Sequence, residues 1–366
     1  QVTLVEPSKI YVACPFSNLV IGGLRSLNAQ MFSYDALSAE GIIVLPAMAI
    51  DVDPVSRQVK LSNSAVLDYD KLVLSPGIDF RWDALDGYKA DTVNTMPHAW
   101  KAGAQTEILA SQLQSMRNGG VVAMSVTAAP FRCPPGPYER ASMIANYLKQ
   151  YKPKSKIIVL DSNEKFSKQP LFLSAWKEHY GDLIEWRNLS NDGRVSRVES
   201  KTMTLHTDFD SLQADVVNIV PPQQAGLIAS RAGVTDQSGW CPINAMNFES
   251  PLQAGIHVIG DASIAAPMPK SAFAANVQAK VCAIQVLRMF SELEIESTTL
   301  ANTCYSFITD DKAISVSGVY HNQSGVLASV SGAGGISPSQ APDELLVREA
   351  LQARDWFETI TGETFL

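Results

Sequence analysis

The segment that most restricts the fold is Ile256-His257-Val258-Ile259-Gly260-Asp261-Ala262-Ser263. Its apolar half is the continuous run of a strand buried on both faces, as in a parallel sheet. A helix is predicted to follow, from Ser271 to about Met289. Strand, Gly-Asp turn and helix in that order form the unit of an α/β fold. Glycine lets another group approach the backbone, and the aspartate can accept a hydroxyl hydrogen bond. The helix N-terminus favours negative charge. Any strand ending in a turn gives the same short pattern, so its meaning depends on the rest of the chain.

At 366 residues the chain exceeds one ordinary core, and two or three domains are expected. A net charge of −8 argues against nucleic acid as the main partner. No apolar run is long enough to cross a bilayer, and no export signal is visible in these residues.

The opening residues Gln1-Val2-Thr3-Leu4-Val5-Glu6-Pro7 read as a buried parallel strand ending in an acid. The second strand of a dinucleotide fold ends this way, with the acid on a ribose hydroxyl about 20 residues after a Gly-rich turn. That turn, its strand and its helix do not precede Glu6 here. The chain is therefore expected to start inside the fold, truncated, with the pyrophosphate seat outside it.

Further strands are predicted at Gly41 to Leu45, Ala49 to Val52 and Tyr69 to Gly77, with a hairpin around Asp53-Pro54. Gln105 to Arg117 reads as an amphipathic helix with Leu109, Leu113 and Met116 on one face. Strand Val121 to Val126, helix Tyr138 to Gln150 (Ile144, Tyr147 and Leu148 inward) and strand Lys156 to Leu160 then form β-α-β, the layout of a nicotinamide domain. Its turn, Ala128-Ala129-Pro130-Phe131-Arg132-Cys133-Pro134-Pro135-Gly136-Pro137, lacks the usual glycines. Prolines have no N–H for a pyrophosphate, and Phe131 and Arg132 are bulky, so no NAD(P)H binding is expected. A hairpin is predicted over Arg194 to Thr207 and a strand over Ala214 to Val220. Past about Ile295 we expect short strands, a linker or turn at Ser331 to Gly335, and a closing helix near Pro342 to Ile360.

Of five cysteines, none stands in a C-x-x-C or haem-attachment motif. Cys133 lies at the mouth of the predicted helix beside Arg132, and both features would favour its thiolate. Glu139, in the first helical turn, is either a local proton acceptor or a favourable first-turn acid. Cys241 and Cys282 read as buried core thiols. Cys14 alone reads as a small buried residue, and spacing does not pair Cys304 with any other cysteine. The five histidines have no ligand spacing, His257 is read as structural, and no metal site is expected.

Three segments carry a resemblance: Phe131 to Arg140, His257 to Ser263 with Pro267-Met268-Pro269-Lys270-Ser271, and Asn302-Thr303-Cys304-Tyr305-Ser306. Together they resemble the flavoprotein subunit of flavocytochrome c sulfide dehydrogenase. The resemblance implies an α/β chain with two Rossmann-like dinucleotide-binding domains of the glutathione-reductase type and a small C-terminal α+β domain. Residues 1–86, truncated at the N-terminus, and 223–294 would form the FAD-binding domain. Residues 87–222 would form the NAD-like domain with the degenerate turn, and 295–366 a C-terminal interface domain.

It further implies FAD held covalently through Cys14, with Glu6, Gly260, Asp261 and Ser271 as binding residues. Cys133 and Cys304 would form a redox-active disulfide that accepts sulfide, and Glu139 would take its proton. Electrons would leave to a c-type cytochrome subunit in the periplasm, past an aromatic such as Trp356. A sulfide:quinone reductase is the alternative enzyme, disfavoured by the acids along Asp343 to Ile360. A non-catalytic flavoprotein scaffold that binds a partner is the other alternative.

Overall fold

The computed structural model describes residues 1–366. Its central element is a four-stranded parallel sheet in the order Ile184–Arg187, Lys156–Asp161, Val121–Val126, Val216–Val220. In chain order this is third, second, first, fourth, the doubly wound arrangement with its switch point beside Val121–Val126. Val122, Ala123, Met124 and Val126 are buried completely because helices or loops cover both faces. The helix Ala104–Ser115 buries Leu109 and Leu113, and the helix Gly136–Tyr151 buries Ile144 and Leu148. Tyr147, expected inward, is half-exposed and packs against Tyr151. Its position lies at the edge of the apolar stripe, where the helix meets solvent.

The flanking unit is assembled from distant segments. Leu72–Leu74 pairs in parallel with Ile256–Val258, so the strand of the Gly-Asp element is joined to a segment far upstream. A β meander, Ala49–Asp53, Gln58–Leu61 and Val66–Asp68, lies next to it, with the Asp53 carboxylate closing the first turn onto the Val55 and Ser56 amides. The helix Ala272–Phe290 follows Ser271, whose hydroxyl accepts the Ala274 amide at 3.1 Å. Such a cap stabilises a helix by about 1 kcal/mol. Thr3–Val5 is parallel, as expected, to Ile43–Leu45. It is not buried, however: Thr3 is exposed and Leu4 and Val5 only half-buried, since the strand pairs on one edge alone.

Residues past Ile295 depart from expectation. They form a meander of three long strands, Leu300–Phe307, Ala313–Gln323 and Val326–Ile336. The glycine cluster at Ser331 to Gly335 is neither linker nor turn but part of the third strand, with Gly334 opposite Gly318 and Gly335 opposite Ser317. A register shift between Gly318 and Tyr320 requires close backbone approach there, and Gly334 adopts φ +133°. The closing helix spans Asp343–Phe365 and packs on this sheet. Leu300, Tyr320 and Leu327 share a core with Ala274, Val281 and Cys282. At the other end Phe307 and Ala313 share one with Leu19, Met143, Ala350 and Ala353. The first strand of the meander is thus wedged between the two larger units.

Candidate functional site

The loop after Val121–Val126 delivers Cys133 to the switch point. Its backbone is left-handed at φ 56°, and its amide donates to Lys270 O at 2.8 Å, just ahead of the Ser271 helix. The Arg132 amide donates to Gln223 Oε1 at 2.9 Å, and its guanidinium reaches Trp100 O and lies 3.8 Å from the Asp261 carboxylate. Proline and these bonds fix a turn that occupies the crevice where a doubly wound sheet otherwise receives a ligand.

Cys304 arrives from the opposite side on Leu300–Phe307 and is buried. Asn302 Nδ2 donates to its sulfur at 3.3 Å, and Asn302 Oδ1 accepts the Ser271 hydroxyl at 2.5 Å. A continuous polar chain therefore runs from the helix cap to the thiol. The strand of Cys304 is bonded through the Phe307 amide to Glu139 on the helix after Cys133, and through Asn302 to Ser271, next to the Lys270 carbonyl that takes the Cys133 amide, so both cysteines border one region. Both are free thiols, as are Cys14, Cys241 and Cys282, so the expected bridge is not formed here.

The electrostatics of Cys133 correct the expectation of a favoured thiolate. Burial, then Glu139 and Cys304, push its thiol well above the usual range, and Arg132 opposes them only in part. Desolvation and three negative neighbours, Glu139, Cys304 and Asp261, outweigh one cation. The helix also begins at Gly136, so Cys133 precedes its first turn.

Glu139 is built into the same cluster. Its Oε1 accepts the Phe307 amide at 2.8 Å and its Oε2 accepts Asn18 Nδ2 at 2.7 Å. Burial raises its carboxyl pKa, partly offset by those two bonds. Arg140, one residue on, donates to Asn18 Oδ1 at 3.0 Å and to Asn218 Oδ1 and the His98 and Ala99 carbonyls. Burial lowers its pKa to about 9, while its stacking over Trp100 at 4.9 Å favours the cation. Asn18 lies four residues past Cys14, so this network locks the Cys14 segment onto the central helix. Cys14 itself is half-buried and acts on Arg132 together with Asp261 and Cys133.

Four of the expected residues, Cys14, Cys133, Asp261 and Cys304, thus converge with Glu139 between the units. Ser271 joins them differently from expectation: its hydroxyl is used by Ala274 and Asn302, so it orients the helix and the Cys304 strand. The Gly260 amide is likewise used, by Gln278 Oε1 at 2.8 Å, while its φ of +71° favours glycine. Glu6, just past Thr3–Val5, accepts the Ser8 amide on its carboxylate at 2.9 Å. His257 is buried and bonded to Asn247 O, a structural placement, and Cys241 and Cys282 are core thiols as expected. Sequence reasoning assigned no role to Asn18, Lys168, Lys270 or Asn302, because their partners lie far away along the chain and a single polar residue carries no periodic signal.

The region 106–221 matches the family model described as the central part of the sulfide dehydrogenase [flavocytochrome c] flavoprotein chain. Residues 296–365 match the flavin-binding model of flavocytochrome c sulphide dehydrogenase. The chain belongs to this family. As a family member it is also 20% identical over 288 residues to a mitochondrial sulfide:quinone oxidoreductase of Dictyostelium discoideum, covering 77% of this chain and 63% of that one. The chain thus spans less than two thirds of that relative. Among solved structures, the Aquifex aeolicus sulfide:quinone oxidoreductase superposes with TM-score 0.74 at 14% identity, over 100% of this chain and 86% of that one. A ferredoxin reductase from Rhodopseudomonas palustris gives 0.64 at 14%, covering 92% and 84%. These likenesses establish the fold: a mixed α/β chain with two Rossmann-like domains.

Proposed function

We propose that the chain is a flavin-bearing sulfide oxidoreductase that takes electrons through Cys133 and Cys304 and passes them to a c-type cytochrome subunit in the periplasm. The observation that carries this reading is the convergence of two cysteines from distant segments of the chain on the Gly260-Asp261 turn and the Ser271 helix.

The residues present fit a flavin by their chemistry. Asp261 Oδ1 is buried without a partner in the protein, the position of an acceptor waiting for a hydroxyl. The first amides of the helix, on Ala272 and Phe273, lie at its N-terminus and precede the capped Ala274 amide. They and the helix dipole would offset negative charge on a bound ring. Cys14, near Arg132, Cys133 and Asp261, would provide the covalent tether. Bound FAD would supply a two-electron acceptor able to release electrons one at a time.

The protein's own chemistry then follows from the cysteines. With the pair oxidised, hydrosulfide forms a bond to one sulfur, the bridge breaks, and its electron pair stays on the other sulfur as thiolate. The first cysteine is left as a persulfide, and the two electrons given by sulfide now reside on the released thiolate. Glu139, its carboxyl pKa raised by burial, would hold the proton that sulfide loses. Trp356 stacks on Phe273 at 5.7 Å and 15°, linking the closing helix to the start of the Ser271 helix. That pair is our candidate exit for electrons.

Gly136 positions the first thiol: a Cβ there would stand 2.9 Å from both Cys133 Sγ and the Trp100 ring. Gly136→Ala is therefore expected to shift the sulfur and slow sulfide oxidation about a hundredfold in a protein that still melts cooperatively. Stopped-flow kinetics beside a thermal melt would check it.

Reduced nicotinamide is not expected to serve as donor. Asp161, at the strand end where a ribose would be held, accepts Tyr138 OH at 2.7 Å and Trp186 Nε1 at 3.0 Å. Phe166 stacks on the Tyr138 ring at 3.6 Å, filling the seat further. A fluorescence titration with NADH or NADPH should show no saturation up to about 1 mM.

The sulfide:quinone reading draws, beside the sulfide:quinone oxidoreductases named above, on the exposed Ile284, Leu287, Phe290 and Leu293 at the end of the Ala272–Phe290 helix and just past it. No helix is long and apolar enough to cross a membrane. Sulfide-dependent reduction of cytochrome c, run beside a soluble quinone, tests the choice: reduction of the quinone alone would overturn the cytochrome reading.

A further inference from the structure

Lys168 is a buried cation outside every role assigned above. It is 4% exposed and has the left-handed φ of 60°, just before the helix Gln169–His179. Its ammonium donates to Cys304 O at 2.9 Å, Ser306 Oγ at 2.8 Å and Ile314 O at 3.1 Å, which uses all three protons. No carboxylate lies within the 4.0 Å of an ion pair. Burying an ammonium among neutral acceptors is costly, and a neutral donor could bridge carbonyls at less cost. The charge therefore calls for a reason beyond strand bonding.

The groups facing it supply one. Cys304 on the meander strand heads the negative groups that offset its burial, followed by Glu139 on the central helix, Cys133 on the turn and Glu349 on the closing helix. Glu349 is occupied, receiving the Ser337 hydroxyl, and Glu139 is bonded to Phe307 and Asn18. Lys168 and Glu139 together hold the strand from Cys304 onward, one by the Cys304 carbonyl and the Ser306 hydroxyl and the other by the Phe307 amide. At Cys133, in contrast, burial and Glu139 disfavour negative charge.

We propose that Lys168 is the positioning residue that makes Cys304 the leaving sulfur when the Cys133–Cys304 bridge is opened. This rests on the sulfide-oxidising reading. Hydrosulfide bonds to Cys133 Sγ, the bridge breaks, and its electron pair departs on Sγ of Cys304, the residue whose carbonyl the ammonium holds at 2.9 Å. The persulfide is then on Cys133. Burial lowers the Lys168 pKa to about 8, so its charge is present below that pH and lost above it.

The test has two arms on the full-length chain. In the first, the oxidised wild-type protein is mixed with sulfide, quenched by alkylation and mapped by mass spectrometry. The extra sulfur is expected on the Cys133 peptide, and its recovery on Cys304 overturns the proposal. In the second, the reduced protein is alkylated with iodoacetamide in wild type, Lys168→Gln and Lys168→Arg. Lys168→Gln should slow labelling of Cys304 about tenfold at pH 7, less so as the pH passes about 8. Lys168→Arg should restore most of the rate. A merely structural lysine would instead expose the strand and speed labelling, and an unchanged or faster rate overturns the proposal. Should sulfide leave no extra sulfur on either cysteine, the sulfide-oxidising reading falls while the alkylation arm still decides what Lys168 does. Should Lys168→Gln fail to fold, the persulfide position in wild type decides alone.

Discussion

Replacing Cys133 or Cys304 by serine is expected to lower sulfide-dependent electron transfer by about a thousandfold or more, with the two single variants and the double variant nearly equal. Residues that act as one unit lose their function together. A hydroxyl cannot form the bridge that sulfide opens, and Cys241 and Cys282 are packed into the cores. The exchange is nearly isosteric, so the fold should survive. The decisive measurement is sulfide-dependent absorbance loss beside chemical reduction by dithionite, which needs no cysteine pair. Retained dithionite reduction with lost sulfide reduction supports the mechanism. Normal turnover in either serine variant removes the bridge from it.

Cys14→Ala should convert any flavin that resists acid precipitation into one that is released. The thiol lies between Ile10–Val12 and the short helix Ser17–Ile21. The residue is half-buried, and its segment is pinned through Asn18 to Glu139 and Arg140. Removing the sulfur changes the attachment and leaves that network intact. Absorbance of the supernatant after acid precipitation reads the result, and flavin still fixed to the protein would exclude Cys14 as the tether.

Much of the central unit is legible in the chain because its signals are local. Leu109 and Leu113 lie one helical turn apart, and both are fully buried. Val121–Val126 and Lys156–Asp161 are continuous apolar runs and stand side by side. The meander was less legible. Its strands alternate weakly, and glycines that ordinarily end elements sit inside Val326–Ile336, where a register shift brings two backbones together. Cys133 shows the same division. Its neighbours in sequence, a cation and a helix start, pointed to a favoured thiolate. Glu139 and Cys304 reach it only in space, and together with burial they reverse the direction.

The amino-acid sequence by itself determined the α/β class and the proline-filled turn, since each depends on neighbours within a few positions, while the roles expected of Cys14 and Cys304 came from the family resemblance. Only the tertiary structure shows the strand of Cys304 wedged between two domains, with Lys168 on the Cys304 carbonyl and Glu139 on the Phe307 amide. The reason is physical: burial and charge at a sulfur are sums over groups from several segments. No one stretch of chain contains that sum.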